Sequence, residues 1–167
     1  MRIATSRVLA ALLCVALVVV APPASNAFST ATGTLTVSAG IGTTCTVGNV
    51  GINFGTISTA AAATTTGTLQ VNCSNGLQYS LDLDAGVNPA AANANRQMAN
   101  GANRLGYNIY TSNTFITVFG STMSGGTSQS FTGTGGFQGI TAYLKVPAQA
   151  APPTGVYTDT VTITAVF

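Results

Sequence analysis

Histidine, glutamate and tryptophan are absent from this 167-residue chain, and charge is confined to three aspartates, four arginines and one lysine. Without histidine the usual general base and the commonest metal ligand are both missing. Asp82 and Asp84 are the only neighbouring carboxylates; at i and i+2 of a strand they point the same way, and they read as a solvated strand face rather than a hydrolytic pair or a calcium cage. Lys145 has no serine near it in sequence for Ser-Lys chemistry. An enzyme is not expected, nor a cofactor or metal. Seven Phe and five Tyr are not interleaved with basic residues, so nucleic acid is not an expected partner, and neither is a small-molecule substrate. The Gly133 to Gly136 stretch is followed by no helix pattern, which removes a phosphate loop.

Long apolar runs are equally scarce, and the single one opens the chain. Arg2 and Arg7 precede an uncharged run from Val8 to Ala21, followed by Pro22-Pro23-Ala24-Ser25-Asn26-Ala27. This is the pattern of a cleaved signal peptide, residues 1–27, and the run is short of the roughly 20 residues a spanning helix needs. Cys14 lies inside the run after Leu13, where a lipoprotein site would want a small residue, and goes with the signal. What remains, residues 28–167, holds Arg96, Arg104 and Lys145 against Asp82, Asp84 and Asp159. A formally neutral chain with so few charges has no basic patch for anionic lipid and little repulsion between copies.

Two cysteines survive, Cys45 and Cys73. Export to an oxidising compartment makes a disulfide between them the expectation, worth roughly 3 to 4 kcal/mol through the loop it closes. No Cys-x-x-C and no flanking cation point to a reactive thiol.

What is plentiful is Thr, Gly, Ser, Asn, Ala and Val in alternating polar and apolar order, which predicts short strands and no helix. Strands are expected near 33–41, 44–48, 52–57, 66–73, 77–84, 104–111, 114–120, 128–133, 140–146 and 156–167. Asn75-Gly76 reads as a tight hairpin turn between two of them. Segments 60–66 and 88–103 read as exposed loops, the latter carrying Arg96 and Arg104 as solvated surface residues. Pro147 and Pro152-Pro153 bracket the connection into the last strand. Thr32-Gly33-Thr34-Leu35 and Thr66-Gly67-Thr68-Leu69 share a grammar without implying duplication. One domain is expected, an antiparallel β-sandwich.

Both ends of the mature chain alternate. Leu35, Val37, Ala39 and Ile41 share one face of the first segment, and Val161, Ile163, Ala165 and Phe167 one face of the last. Either the first strand folds into its own domain, giving a self-contained secreted coat or matrix protein, or it fills a groove in another copy. A small lectin using exposed Tyr and Asn is the binding-module alternative.

The pieces Cys45-Thr46-Val47, Asn53-Phe54-Gly55, Val71-Asn72-Cys73-Ser74-Asn75-Gly76, Leu105-Gly106-Tyr107-Asn108-Ile109-Tyr110 and the closing Pro-Pro-x-Gly-x-Tyr-x-Asp-Thr-Val-Thr pattern together resemble the spore coat protein U domain family, pilins of the archaic chaperone-usher pathway. That resemblance implies an incomplete immunoglobulin-like sandwich, residues 42–167, completed by a donor strand, residues 28–41, from the next subunit. It implies Leu35, Val37, Ala39 and Ile41 as donor residues and Val161, Ile163, Ala165 and Phe167 on the acceptor strand. The Cys45–Cys73 bond would then be the family's pilin disulfide. Implied partners are identical or related subunits, a periplasmic chaperone and an outer-membrane usher, with export to the surface of a Gram-negative bacterium and a role in adhesion and biofilm formation.

Overall fold

Among the described residues eight strands, all paired antiparallel, form two sheets. The computed structural model describes residues 30–88 and 92–167; the expected signal peptide, residues 1–27, and the first two residues of the expected donor segment lie outside the described part. The larger sheet has the order β1-β2-β7-β5-β4, with β1 at Cys45–Val47, β2 at Ala63–Cys73, β7 at Phe137–Val146, β5 at Asn103–Tyr110 and β4 at Arg96–Asn100. The smaller has the order β6-β3-β8, with β6 at Gln129–Thr132, β3 at Gln78–Leu83 and β8 at Ile163–Val166. Among the described residues no helix is long and apolar enough to cross a membrane.

The alternation of the sequence becomes the two faces of these strands. Leu69, Val71 and Cys73 of β2, Leu105, Tyr107 and Ile109 of β5, and Ala142, Leu144 and Val146 of β7 are buried against Tyr79, Leu81 and Leu83 of β3 and against Phe119. Each large aliphatic side chain removed from water contributes about 1.5 to 3 kcal/mol. The β2–β7 ladder is the longest, running from Ala63↔Val146 to Asn72↔Phe137. Cys45 and Cys73 face each other across β1 and β2 and are bonded, with 4.1 Å between their Cα atoms. The expected disulfide is therefore present, and it ties the three-residue β1 to the end of the longest strand.

Several expectations are corrected. Asn75-Gly76 does turn the chain, with Gly76 at φ 78°, yet the strands it joins do not pair with each other. β2 stays in the larger sheet and β3 enters the smaller one, because the Gly76 N–H donates to the Gly133 carbonyl at 2.8 Å and the Gly133 N–H to that of Leu77 at 2.8 Å. The turn is stitched to the end of β6, and the hairpin reading gives way to a crossover between sheets. Segment 88–103 is not only loop: it contains β4, whose Arg-Gln-Met-Ala-Asn lacks β-branched residues and is held as a strand by pairing with β5 across the Gly101-Ala102 turn.

Three predicted strands have no ladder. In 52–57, Ile52 and Phe54 are half-buried in alternation, but the Asn53 Oδ1 accepts the Gly55 N–H at 2.8 Å and Gly55 sits at φ 70°, so the segment bends instead of pairing and the next half-buried residue, Ile57, falls off the period. In 114–120 only single bridges form, at Val118 and Phe119. In 33–41 the alternation is present without a paired neighbour, and Leu35 and Val37 are exposed. The predicted last strand, 156–167, is split: Thr158 bridges to Ala99 of β4, whereas Ile163–Val166 pairs with β3.

Candidate functional site: an open apolar groove

That split gives the last segment membership of both sheets, and beside it the core is open. A groove of about 580 Å³ runs along it. Its floor is Leu69, Leu83, Ile109 and Leu144, one residue from each of the four long strands. One wall is Ile52 and Phe54, the other Val161 and Ile163. β8 is hydrogen-bonded to β3 alone, and no strand is formed in 50–54, so backbone groups on both sides of the groove lack a ladder partner. Such an edge above an apolar floor invites an added strand. Gly67 shapes the wall, since a Cβ there would fall on the Ile52 side chain.

Of the residues expected on the acceptor strand, Val161 and Ile163 line the groove and are half-buried; Ala165 packs half-buried against the core further along. Phe167 is 60% exposed at the chain end. The expected donor residues Leu35, Val37 and Ile41 are 82 to 99% exposed, and Ala39 is exposed as well.

Asp159, from the closing Tyr-x-Asp pattern, fixes where the last segment changes sheets. Its Oδ2 accepts the Tyr107 hydroxyl at 2.8 Å, and its Oδ1 accepts the N–H groups of Val87 at 3.1 Å and Thr160 at 2.9 Å and the Asn88 amide at 2.9 Å. Burial, then the hydrogen bond and charge of Asp159, push the Tyr107 hydroxyl well above the ordinary tyrosine value, so it stays a donor. Gly86, at φ 85°, leaves room for this carboxylate, into which a Cβ would run. Replacing Asp159 by Ala is expected to cost about 1 to 3 kcal/mol, because the buried Tyr107 hydroxyl loses its acceptor. Chemical denaturation of the variant beside the parent measures it.

Asp84 anchors the next step, accepting the N–H groups of Thr162 and Gly86, each at 2.9 Å. Partial burial works to raise its pKa, but hydrogen bonds from Thr162 and Gly86 and the Arg96 cation outweigh it and hold the carboxyl below its ordinary value. Asp82 accepts the Ser128 hydroxyl. The Asp82–Asp84 pair is thus a pair of strand-end anchors.

Arg96 is the largest correction. Read from sequence as a solvated loop residue, it is fully buried. Its Nε donates to the Asp84 carbonyl at 2.9 Å, Nη1 to the Asn108 Oδ1 at 2.9 Å and the Asn93 carbonyl at 3.4 Å, and Nη2 to the carbonyls of Phe119 at 2.9 Å and Leu83 at 3.3 Å and the Asn93 Oδ1 at 3.3 Å. Burial pulls its pKa down from the usual arginine range, though a guanidinium remains protonated. It joins β4, β5, the end of β3 and the segment after Phe119. Arg104 is half-buried and donates to the carbonyls of Gly101 and Asn103 beside it.

Comparison with known proteins bears on this geometry. Residues 31–164 match the Spore Coat Protein U domain. No curated protein matches. Among solved structures, the fold is similar to one in the crystal structure of the CsuC-CsuE chaperone-tip adhesion subunit pre-assembly complex from archaic chaperone-usher Csu pili of Acinetobacter baumannii. The TM-score is 0.56 and the identity 24%, over 75% of this chain and 40% of that one. This chain therefore spans well under half the length of the one it resembles, and the likeness is one of fold.

Proposed function

This chain belongs to the Spore Coat Protein U domain family, and on that footing we propose that it is a structural subunit of a chaperone-usher surface fibre that polymerises by strand donation. The observation that carries the reading is the groove: an apolar floor left open beside a strand paired on one side only. Residues 28–41 of one copy enter the groove of the next, with Leu35, Val37, Ala39 and Ile41 directed at the floor and the backbone pairing along Val161, Ile163, Ala165 and Phe167. Burying the three large donor side chains is worth about 1.5 to 3 kcal/mol each, and each ladder hydrogen bond adds about 0.5 to 1.5 kcal/mol. A periplasmic chaperone covers the groove until an outer-membrane usher exchanges it for the next subunit, and the fibre serves adhesion and biofilm formation at the cell surface.

Subunits joined this way resist detergent. The mature chain run unheated on an SDS gel is expected to give a ladder of multimers that collapses to monomer on boiling. Val37→Asp places a charge where the floor is apolar and abolishes the ladder; Ile116→Asp, at a residue 79% exposed and outside the groove, leaves it intact. A monomer at all temperatures, or a ladder indifferent to Val37→Asp, overturns the reading in favour of a self-contained domain.

A further inference from the structure

Along β4 and β5 lies a second, shallow hollow of about 370 Å³, within the range of small-molecule sites. It forms where β7 gives out. Beyond Val146 the chain leaves the ladder at Pro147, and the Gln149 side chain takes the place of a strand: its Oε1 accepts the Gly106 N–H at 3.1 Å and its Nε2 donates to the Gly106 carbonyl at 2.8 Å. Gly106 itself, opposite Gln97 in the ladder, contributes no side chain to fill the space.

Asn108 lines this hollow and is only 6% exposed. Its Oδ1 faces two donors, the Arg96 Nη1 at 2.9 Å and the Ile109 N–H at 2.8 Å. That fixes the amide, because the flipped form would set an NH₂ against two N–H groups. Its Nδ2 donates to no atom of the described residues. Among the described residues no enclosed side-chain nitrogen or oxygen lacks a partner, so this Nδ2 reaches the hollow's surface. Gln97 and Asn95, on the same face of the β4 segment by alternation, bring further amide groups, and Tyr110 and Pro147 supply apolar walls. No carboxylate lines the hollow, and the Arg96 cation beneath it already has acceptors on all three nitrogens.

We propose that this hollow binds a neutral pyranose. Its hydroxyl oxygens accept from the pre-oriented Asn108 Nδ2 and exchange hydrogen bonds with the Gln97 amide, and the apolar face of the ring lies against Tyr110. Neutral amides around an aromatic suit an uncharged, hydroxyl-rich ring, and the lining itself offers an anion no free charged donor, Lys145 opposite Asn108 in the ladder lying instead over the Phe115 ring. Tyr107 borders both this hollow and the groove, but Asn108, Gln97 and Tyr110, which carry the proposal, line the hollow alone.

Saturation-transfer NMR reads signals from the small ligand and strengthens with the size of the protein, so it suits the mature chain in its assembled form. The probes are glucose, galactose, mannose and N-acetylglucosamine. At least one is expected to receive saturation, and the signal is expected to fall at least fivefold in Asn108→Asp, which keeps the acceptor for Arg96 but removes the outward donor. Gln97→Ala, which takes away only a side chain on the hollow, is expected to weaken it at least threefold, covering the case in which Asn108→Asp misfolds. No transfer to any of the four sugars, or transfer that persists in the folded variants, overturns the proposal.

Discussion

Replacing Arg96 by Met is expected to lower the unfolding free energy by about 3 to 5 kcal/mol, the range seen when one member of a buried charged network is removed. Methionine fills much of the same space but donates nothing. The carbonyls of Leu83, Asp84, Asn93 and Phe119 and the side-chain oxygens of Asn93 and Asn108 all stay where the fold puts them and all lose the guanidinium, with only the Leu83 carbonyl keeping the Ser121 N–H and the Asn108 Oδ1 the Ile109 N–H. Backbone carbonyls cannot be mutated away to match, so the compensation open to a buried ion pair is closed here. Against a total of about 5 to 15 kcal/mol for an ordinary domain, the loss is large. Arg96→Lys recovers only part of it, because an ammonium cannot span acceptors arranged around a planar fork. Arg104→Met is the control and is expected to stay within about 0.5 kcal/mol, since its two carbonyl partners belong to the adjacent turn. Urea titration with an unchanged slope measures all three; equal losses at 96 and 104 would refute the assignment.

The second large effect concerns the groove. A chain starting at Thr43 is expected to be of low stability, because Leu69, Leu83, Ile109 and Leu144 sit beneath an opening of about 580 Å³. A synthetic peptide spanning residues 28–41 is expected to raise its melting temperature by tens of degrees. Binding to the folded state alone stabilises by about 4 kcal/mol at a thousandfold excess over Kd, and exchange-resistant strand addition goes beyond that. A peptide with Val37→Asp serves as the control and is expected to have no effect. A truncated chain that is already stable and indifferent to the peptide would leave the groove without its proposed occupant.

How much of this was readable beforehand follows a physical line. Alternation along β2, β3 and β7 announced a two-sheet core, because in-facing and out-facing residues are set locally by the pleat. Pairing is not local. Asn75-Gly76 has hairpin chemistry, but its amide is satisfied by Gly133, some sixty residues on, and nothing within the turn declares that. The same holds for 52–57 and 33–41, where the period of a strand occurs without the ladder of one. Arg96 reads as a loop residue for a related reason: four of its acceptors are main-chain oxygens from three separated stretches, at Leu83-Asp84, Asn93 and Phe119, and main-chain oxygens leave no mark in a sequence. Asp159 stands within the closing Tyr-x-Asp motif, while its work, holding the last segment as it passes from one sheet to the other, depends on Tyr107, Val87 and Asn88.

The bond between Cys45 and Cys73 also decides how the molecule answers tension. A pull on residues ahead of Cys45 meets β1 first, and three residue pairs on an edge would peel away one after another. The covalent link bypasses that weak step and passes the load to the end of β2. From there it enters the ladder from Ala63 to Asn72, whose hydrogen bonds lie across the strand direction and are loaded together when the strand is drawn along its length. The weakest strand in the fold is in this way kept out of the line of force, and the oxidised chain is expected to yield at a higher load than the reduced one.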